Sequence, residues 1–139
     1  MEEEKYCIVI CDGGGKSILY LENIDIYLDV DFYIWQDQSR IPSLEKMLKN
    51  NDTKGIGDFY KNIMLNDEKL RNDYRILLVH HPINAEWLGR KIIGIYRPVK
   101  ELHEKNIKDR EPYLQELARN DWKELGKYNP TEFDKYPFL

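Results

Sequence analysis

Tyr6-Cys7-Ile8-Val9-Ile10-Cys11-Asp12-Gly13-Gly14-Gly15-Lys16-Ser17-Ile18-Leu19-Tyr20-Leu21-Glu22 is the stretch on which the reading of the fold turns. Two apolar runs, Tyr6 to Cys11 and Lys16 to Glu22, flank Asp12 and three glycines. Glycine tolerates positive φ and can close a tight turn, so the stretch reads as a β-hairpin with a glycine tip. The next segment continues the β pattern. Ile24, Ile26, Leu28, Val30, Phe32 and Ile34 alternate with Asp25, Tyr27, Asp29, Asp31 and Tyr33, and Trp35 follows. A period of two predicts one long strand with an apolar core face and a wet acidic face.

Beyond Pro42 the period becomes helical. Ser43 can cap a helix running to about Asn50, polar Asn50 to Lys54 reads as a loop, and Gly57-Asp58 opens a helix with Phe59, Ile63 and Leu70 on one stripe. Tyr74 to His81 is apolar at every position from Ile76 to Val79 and ends at Pro82, as expected of a strand covered on both faces. Lys91 to Arg97 is β-like and stops at Pro98. Glu111 to Leu125 is helical, with Pro112 in the first turn, Leu114, Leu117, Ala118 and Leu125 inward and Gly126 at the end. The expected architecture is α+β: a central, mostly antiparallel sheet or small barrel with an N-terminal β-hairpin, flanked by three to four helices. It forms a single domain, 1–139, with an irregular C-terminal tail over 127–139.

A length of 139 residues, 42% of them hydrophobic and 33% charged, suits one core and excludes collagen-like, low-complexity and wholly disordered chains. The formal charge of −4 argues against a general nucleic-acid coat. Cys7 and Cys11, four apart on a strand, stand about 13 Å apart and cannot bridge, which predicts a buried, inert pair. No apolar run reaches the length of a signal-peptide core or a membrane span, and the chain opens on Glu2, Glu3 and Glu4. A reduced, cytoplasmic protein without membrane contact is expected. An oligomer is compatible with this composition.

Charge is uneven. Residues 1 to 35 hold two lysines against eight acids, a net of −6, whereas 71 to 100 holds Arg71, Arg75, Arg90, Lys91, Arg97 and Lys100 against Asp73 and Glu86, a net of +4. The second window, with His80 and His81, is where an anion is expected. A phosphate loop of the form Gly-x-x-x-x-Gly-Lys-Ser would need glycine at position 10, where Ile10 stands. Gly13 to Gly15 therefore reads as a hairpin tip, although its N–H groups and Lys16 can still meet a phosphate. Gly55-Ile56-Gly57 lacks the third glycine of a dinucleotide fingerprint. His80 and His81, adjacent on a strand, face opposite ways and cannot share a metal, and Asp25, Asp29 and Asp31 read as a solvated face. No metal and no cofactor are expected.

Asn72-Asp73-Tyr74-Arg75-Ile76-Leu77-Leu78-Val79, followed by Gly89-Arg90-Lys91-Ile92-Ile93-Gly94-Ile95-Tyr96-Arg97-Pro98-Val99, resembles the paired central strands of PUA-like domains, the ASCH and EVE groups in particular. Phe32-Tyr33-Ile34-Trp35 stands about where an EVE domain begins its first strand. Asn72 replaces the family glycine, and the acidic stretch before residue 24 has no counterpart. The resemblance implies a small β-barrel flanked by helices that binds a nucleobase or RNA in a cleft.

Three functions are expected in order. The first is a binding module for an anionic nucleotide-like small molecule or nucleic acid, using Arg75, His81, Arg90, Lys91, Arg97 and Lys16 as ligand contacts. The second is an acidic module of the immunity or anti-defence kind, meeting a basic protein partner through Tyr27, Asp29, Asp31, Tyr33 and Trp35. The third is a small hydrolase or nuclease with His80 or His81 as the catalytic base.

Overall fold

The computed structural model describes residues 4–135. Glu2 and Glu3, and the tail from residue 136, lie outside the described residues. β1 (Tyr6–Ile10) leads through the glycine loop into α1 (Lys16–Glu22), β2 (Tyr27–Asp29) and α2 (Val30–Trp35). The helices α3 (Ile41–Lys49), α4 (Thr53–Asn66) and α5 (Glu68–Arg71) follow, and then β3 (Ile76–Val79) and α6 (Pro82–Leu88). β4 (Lys91–Pro98), α7 (Lys100–Ile107), α8 (Pro112–Leu125), a 3₁₀ turn and β5 (Thr131–Phe133) complete the order.

The five strands form one sheet in the order β2-β3-β1-β4-β5, and every pairing is parallel. This overturns the antiparallel sheet or small barrel with an N-terminal hairpin, and with it the barrel that the resemblance to PUA-like domains implied; α and β content together is retained. Both edges of β1 are occupied, by β3 with Cys7 opposite Leu77 and by β4 with Tyr6 opposite Lys91. No edge is left for a hairpin partner, so Lys16–Glu22 coils into a helix whose first turn closes with Leu19 N donating to Gly15 O at 3.1 Å. The strands expected to pair, β3 and β4, are separated by β1. Parallel neighbours need helical crossovers, which is why eight α-helices appear among the described residues where three to four were expected.

The long strand expected over 24 to 34 is three residues of β2 followed by a helix. Asp29 is the cause: its carboxylate accepts from Asp31 N at 3.0 Å and caps α2. Val30 and Ile34, one helical turn apart, are buried, as is Leu28, but Ile24 and Ile26 are 52% and 51% exposed in the loop before β2. Phe32 on α2 is 38% exposed as well, so the expectation that all the even-numbered apolar residues point inward fails at three positions. Within the stretch read as irregular, Thr131–Phe133 adds the edge strand beside β4.

The core is two-layered because side chains alternate along β1. Cys7, Val9 and Cys11 pack with Val79, Ile34, Leu44, Met64 and the α6 residues Ala85 and Leu88; Ile8 and Ile10 pack on the other face with Leu19 of α1 and Leu78. Each fully buried Leu or Ile contributes about 1.5 to 3 kcal/mol. α1 and α6 thus cover opposite faces of the sheet. The chain leaves β1 toward β2 on the far side of β3, and leaves β3 toward β4 on the far side of β1. The loops after β1 and β3 therefore diverge, opening a crevice at the carboxyl edge of the sheet, which is where parallel α/β sheets place ligands.

The glycine loop beneath that crevice is tightly packed. A Cβ at Gly14 would stand 2.5 Å from Ile10 Cγ2 and 2.7 Å from the Cys11 carbonyl oxygen, a backbone atom that cannot step aside. Gly14→Ala is expected to cost about 1 to 3 kcal/mol by overpacking, read from the urea midpoint; an unchanged midpoint would mean the loop is looser than this geometry.

Candidate functional site

At the carboxyl edge, β1 delivers Asp12 and the glycines, β2 delivers Asp29 and, just beyond it, Asp31, and β3 delivers His80 and His81. Gly13 (φ 79°) and Gly15 (φ 98°) adopt the left-handed conformation that lets the chain reverse into α1. The reversal turns the Lys16 side chain inward. Its Nζ, 5% exposed, donates to the carbonyls of Ile10 at 3.2 Å and Cys11 at 3.4 Å and lies 3.6 Å from Asp31 Oδ2. Burial alone would lower the Lys16 pKa, but Asp31, Asp12, Asp29 and Asp121 outweigh it, raise the pKa and hold the ammonium charged.

The carboxylates differ. Asp29, 2% exposed, accepts from Ser17 Oγ at 3.2 Å, and burial together with the Asp31 charge raises its pKa. Asp12 feels the same desolvation, yet Lys16 and Arg110, whose Nη1 is 3.1 Å from Asp12 Oδ1, bring its pKa down. Asp121 on α8 accepts from Asp12 N at 2.6 Å and is pushed up by burial. Asn106 on α7 donates to Gly13 O at 2.9 Å, and His103 Nε2 lies 2.8 Å from Asp12 O, so α7 braces the loop from outside.

Two adjoining cavities open here. One, of about 480 Å³, is lined by Gly13, Gly15, Lys16, Ser17, Asp29 and Asn106 among others. The other, of about 710 Å³, runs between α3, α4 and α8 and is lined by Leu44, Ile56, Tyr60, His80, Leu114 and Leu117 among others. Asp12, Asp31, Trp35 and Arg110 line both. Among the described residues no group of three or more His, Cys, Asp or Glu side chains is placed to hold a metal ion.

The sequence-predicted residues divide. Lys16, Asp29, Asp31, Trp35, His80 and His81 meet at the crevice. His80 Nδ1 is 3.8 Å from Asp31 Oδ1, and its ring stands edge-on to Tyr60 at 5.7 Å. His81 caps α6, its Nδ1 accepting from Ile83 N at 3.0 Å while Asn84 answers its backbone N–H, and burial with the neighbouring His80 lowers its pKa.

The basic window does not converge. Lys91 pairs with Tyr6 at the amino edge of the sheet, while Arg97 stands near the other end of β4. Arg90 is 7% exposed and donates to the carbonyls of Tyr6, Arg71, Asp73 and Arg75. Arg75 holds Asp73 at 2.9 Å, and Arg97 bonds Glu132 at 2.7 Å with its guanidinium 3.8 Å over Trp122.

The aromatic set also faces inward: Tyr33 donates to Asp67 at 3.0 Å and Trp35 Nε1 to the Tyr60 hydroxyl at 3.3 Å, while Tyr27 packs half-buried beside Leu78. Cys7 and Cys11 are free and buried, as expected, with thiols pushed up to about 12 by burial. Asp12, Asp121, Arg110, Asn106 and His103 were missed; the Asp12-Gly-Gly-Gly turn and the run of charges before Pro112 were their only local signals. No helix of the described residues is long and apolar enough to cross a membrane. No protein-family model and no curated protein matches the chain.

Arg90→Lys, which removes the fork that ties these carbonyls, is expected to cost about 3 kcal/mol in urea denaturation. Intact stability with weakened anion binding would instead make the basic window the site. For His81, the folded pKa lies below the unfolded value of about 6.5, so the unfolded chain takes the proton first and stability is lost as pH falls from there through the lowered folded pKa. His81→Asn keeps a cap without that proton, so the stability difference between wild type and variant should change below pH of about 6.5 and be flat above it. A difference that is flat throughout would remove the cap assignment.

Proposed function

We propose that the protein binds the polyphosphate end of a nucleoside triphosphate at the Gly13–Ser17 loop and transfers its terminal phosphoryl group. The observation that carries this reading is Lys16: a side chain only 5% exposed that lines the first cavity, at the root of a glycine loop and at the diverging crevice of an all-parallel sheet. Phosphoryl transfer needs little covalent chemistry from a protein; it needs positioning and positive charge on the phosphate oxygens. The left-handed glycines turn the chain at the cavity without a Cβ, and Lys16 supplies the charge. Ser17 Oγ, which donates to the buried Asp29 carboxylate, would give a magnesium ion one protein ligand, with the rest of its shell from phosphate and water; bound there, it would neutralise charge on the transferred group. Ile10 in place of the first glycine of a phosphate loop fits this reading, because its side chain points down into the core beside Leu19 and not into the cavity. The anionic nucleotide-like ligand expected from the charge pattern is retained, with its seat at Lys16.

Titration calorimetry with ATP, GTP and inorganic pyrophosphate, with and without magnesium, tests this. Micromolar binding of at least one triphosphate is expected, weakened at least tenfold in Lys16→Gln and made magnesium-independent in Ser17→Ala, with thermal melts confirming that both variants are folded. No binding of any of the three at millimolar concentration overturns it.

A further inference from the structure

The second cavity has a chemistry of its own. Trp35, Leu44, Ile56, Leu114 and Leu117 give it apolar walls, and the Trp35 indole and Tyr60 ring are fixed against each other through the 3.3 Å hydrogen bond from Nε1 to the hydroxyl. Its polar lining carries four acids, Asp12, Asp31, Asp121 and Glu124, beside Thr53, Asn120 and two imidazoles already set against those acids, His80 at 3.8 Å from Asp31 and His81 at 3.8 Å from Glu124. Among the described residues, Arg110 is the one permanent cation in that lining, and it is already on Asp12 at 3.1 Å. Asp31 stands at the junction, lining both cavities, 3.6 Å from Lys16 on one side and 3.8 Å from His80 on the other.

A compound bearing its own phosphate would bring a dianion into a low-dielectric space lined by carboxylates, with no cation free to receive it. A neutral compound meets no such barrier and gains apolar contact with two aromatic walls. We propose that this cavity takes the phosphoryl acceptor, and that the acceptor is an uncharged, hydroxyl-bearing compound with a flat apolar body. This rests on the phosphoryl-transfer reading above. The acceptor hydroxyl points at the junction, where the Asp31 carboxylate takes its proton. The hydroxyl oxygen bonds to the terminal phosphorus as the bond from that phosphorus to the bridging oxygen breaks, and the electron pair stays on the departing diphosphate. The products are the phosphate monoester and a nucleoside diphosphate, with one proton released. His80 positions Asp31 from the acceptor side.

The probes are adenosine and thymidine against their 5′-monophosphates, which differ by one phosphate, with whichever triphosphate binds in calorimetry as donor and diphosphate release as readout. Nucleosides are expected to exceed their monophosphates at least tenfold in kcat/KM. Asp31→Asn is expected to lower kcat at least 100-fold while the nucleoside KM moves less than threefold, which a merely structural role would not produce. Glu124→Arg, at the exposed rim, is expected to narrow the preference at least tenfold and remains informative if Asp31→Asn does not fold. Monophosphates turned over as well as nucleosides, or turnover of neither, overturns this proposal while leaving triphosphate binding intact. If no triphosphate binds in calorimetry, the phosphoryl-transfer reading itself falls.

Discussion

A positive charge buried beside a glycine loop is the constraint around which this protein is arranged. An ammonium group taken out of water costs several kcal/mol unless carboxylates and carbonyls surround it. Lys16 obtains them from four places in the sequence: the carbonyls at the end of β1, Asp12 in the loop, Asp29 and Asp31 at the end of β2, and Asp121 on α8. Each of these must arrive for the charge to be stable. The parallel pairing that brings the ends of β1, β2 and β3 to one edge, and the packing of α8 against that edge, are therefore coupled to the same group that equips the edge for an anion.

The sheet's two edges carry opposite assignments. At the amino edge Arg90 gathers the carbonyls of Tyr6, Arg71, Asp73 and Arg75, joining the start of β1 to the turn before β3. A guanidinium with its donors on backbone oxygens is a fastener, and only its Nε lacks a partner among the buried side-chain atoms described. At the carboxyl edge the permanent charges are mostly acidic, and the cations among them, Lys16 and Arg110, are held by carboxylates. A net positive count over residues 71 to 100 measures composition, while the sheet sends those residues to two ends and pairs most of them internally.

This is also where sequence reading reached its limit. The apolar runs, the covered strand at Ile76–Val79 and the long helix ending at Leu125 were legible, because burial patterns are local. The direction of pairing was not, because two strands joined by a glycine turn look alike whether the second run pairs with the first or coils away from it; the decision lies with β3 and β4, about 70 and 85 residues on, which occupy both edges of β1. The alternation over 24 to 34 misled for a related reason. Val30 and Ile34 satisfy a helix as well as a strand, and Asp29 settles the matter by capping the backbone at Asp31. Lys16 was legible as a phosphate contact; the bond from Asp12 to Asp121 beside it was not, since nothing local joins residues 109 positions apart.

Asp29 and Asp31 show how such an edge can keep two neighbouring acids for different purposes. Asp29 is sealed, receives the Ser17 hydroxyl and the Asp31 backbone N–H, and is raised in pKa by burial and by its neighbour. Asp31 is 28% exposed and faces both cavities. The capping bond that starts α2 fixes the two in opposite roles, because Asp29 cannot turn outward without releasing the helix and Asp31, on its first turn, projects into the crevice. The same contact that replaced an expected strand by a helix is thus the one that brings a carboxylate to the junction between Lys16 and His80.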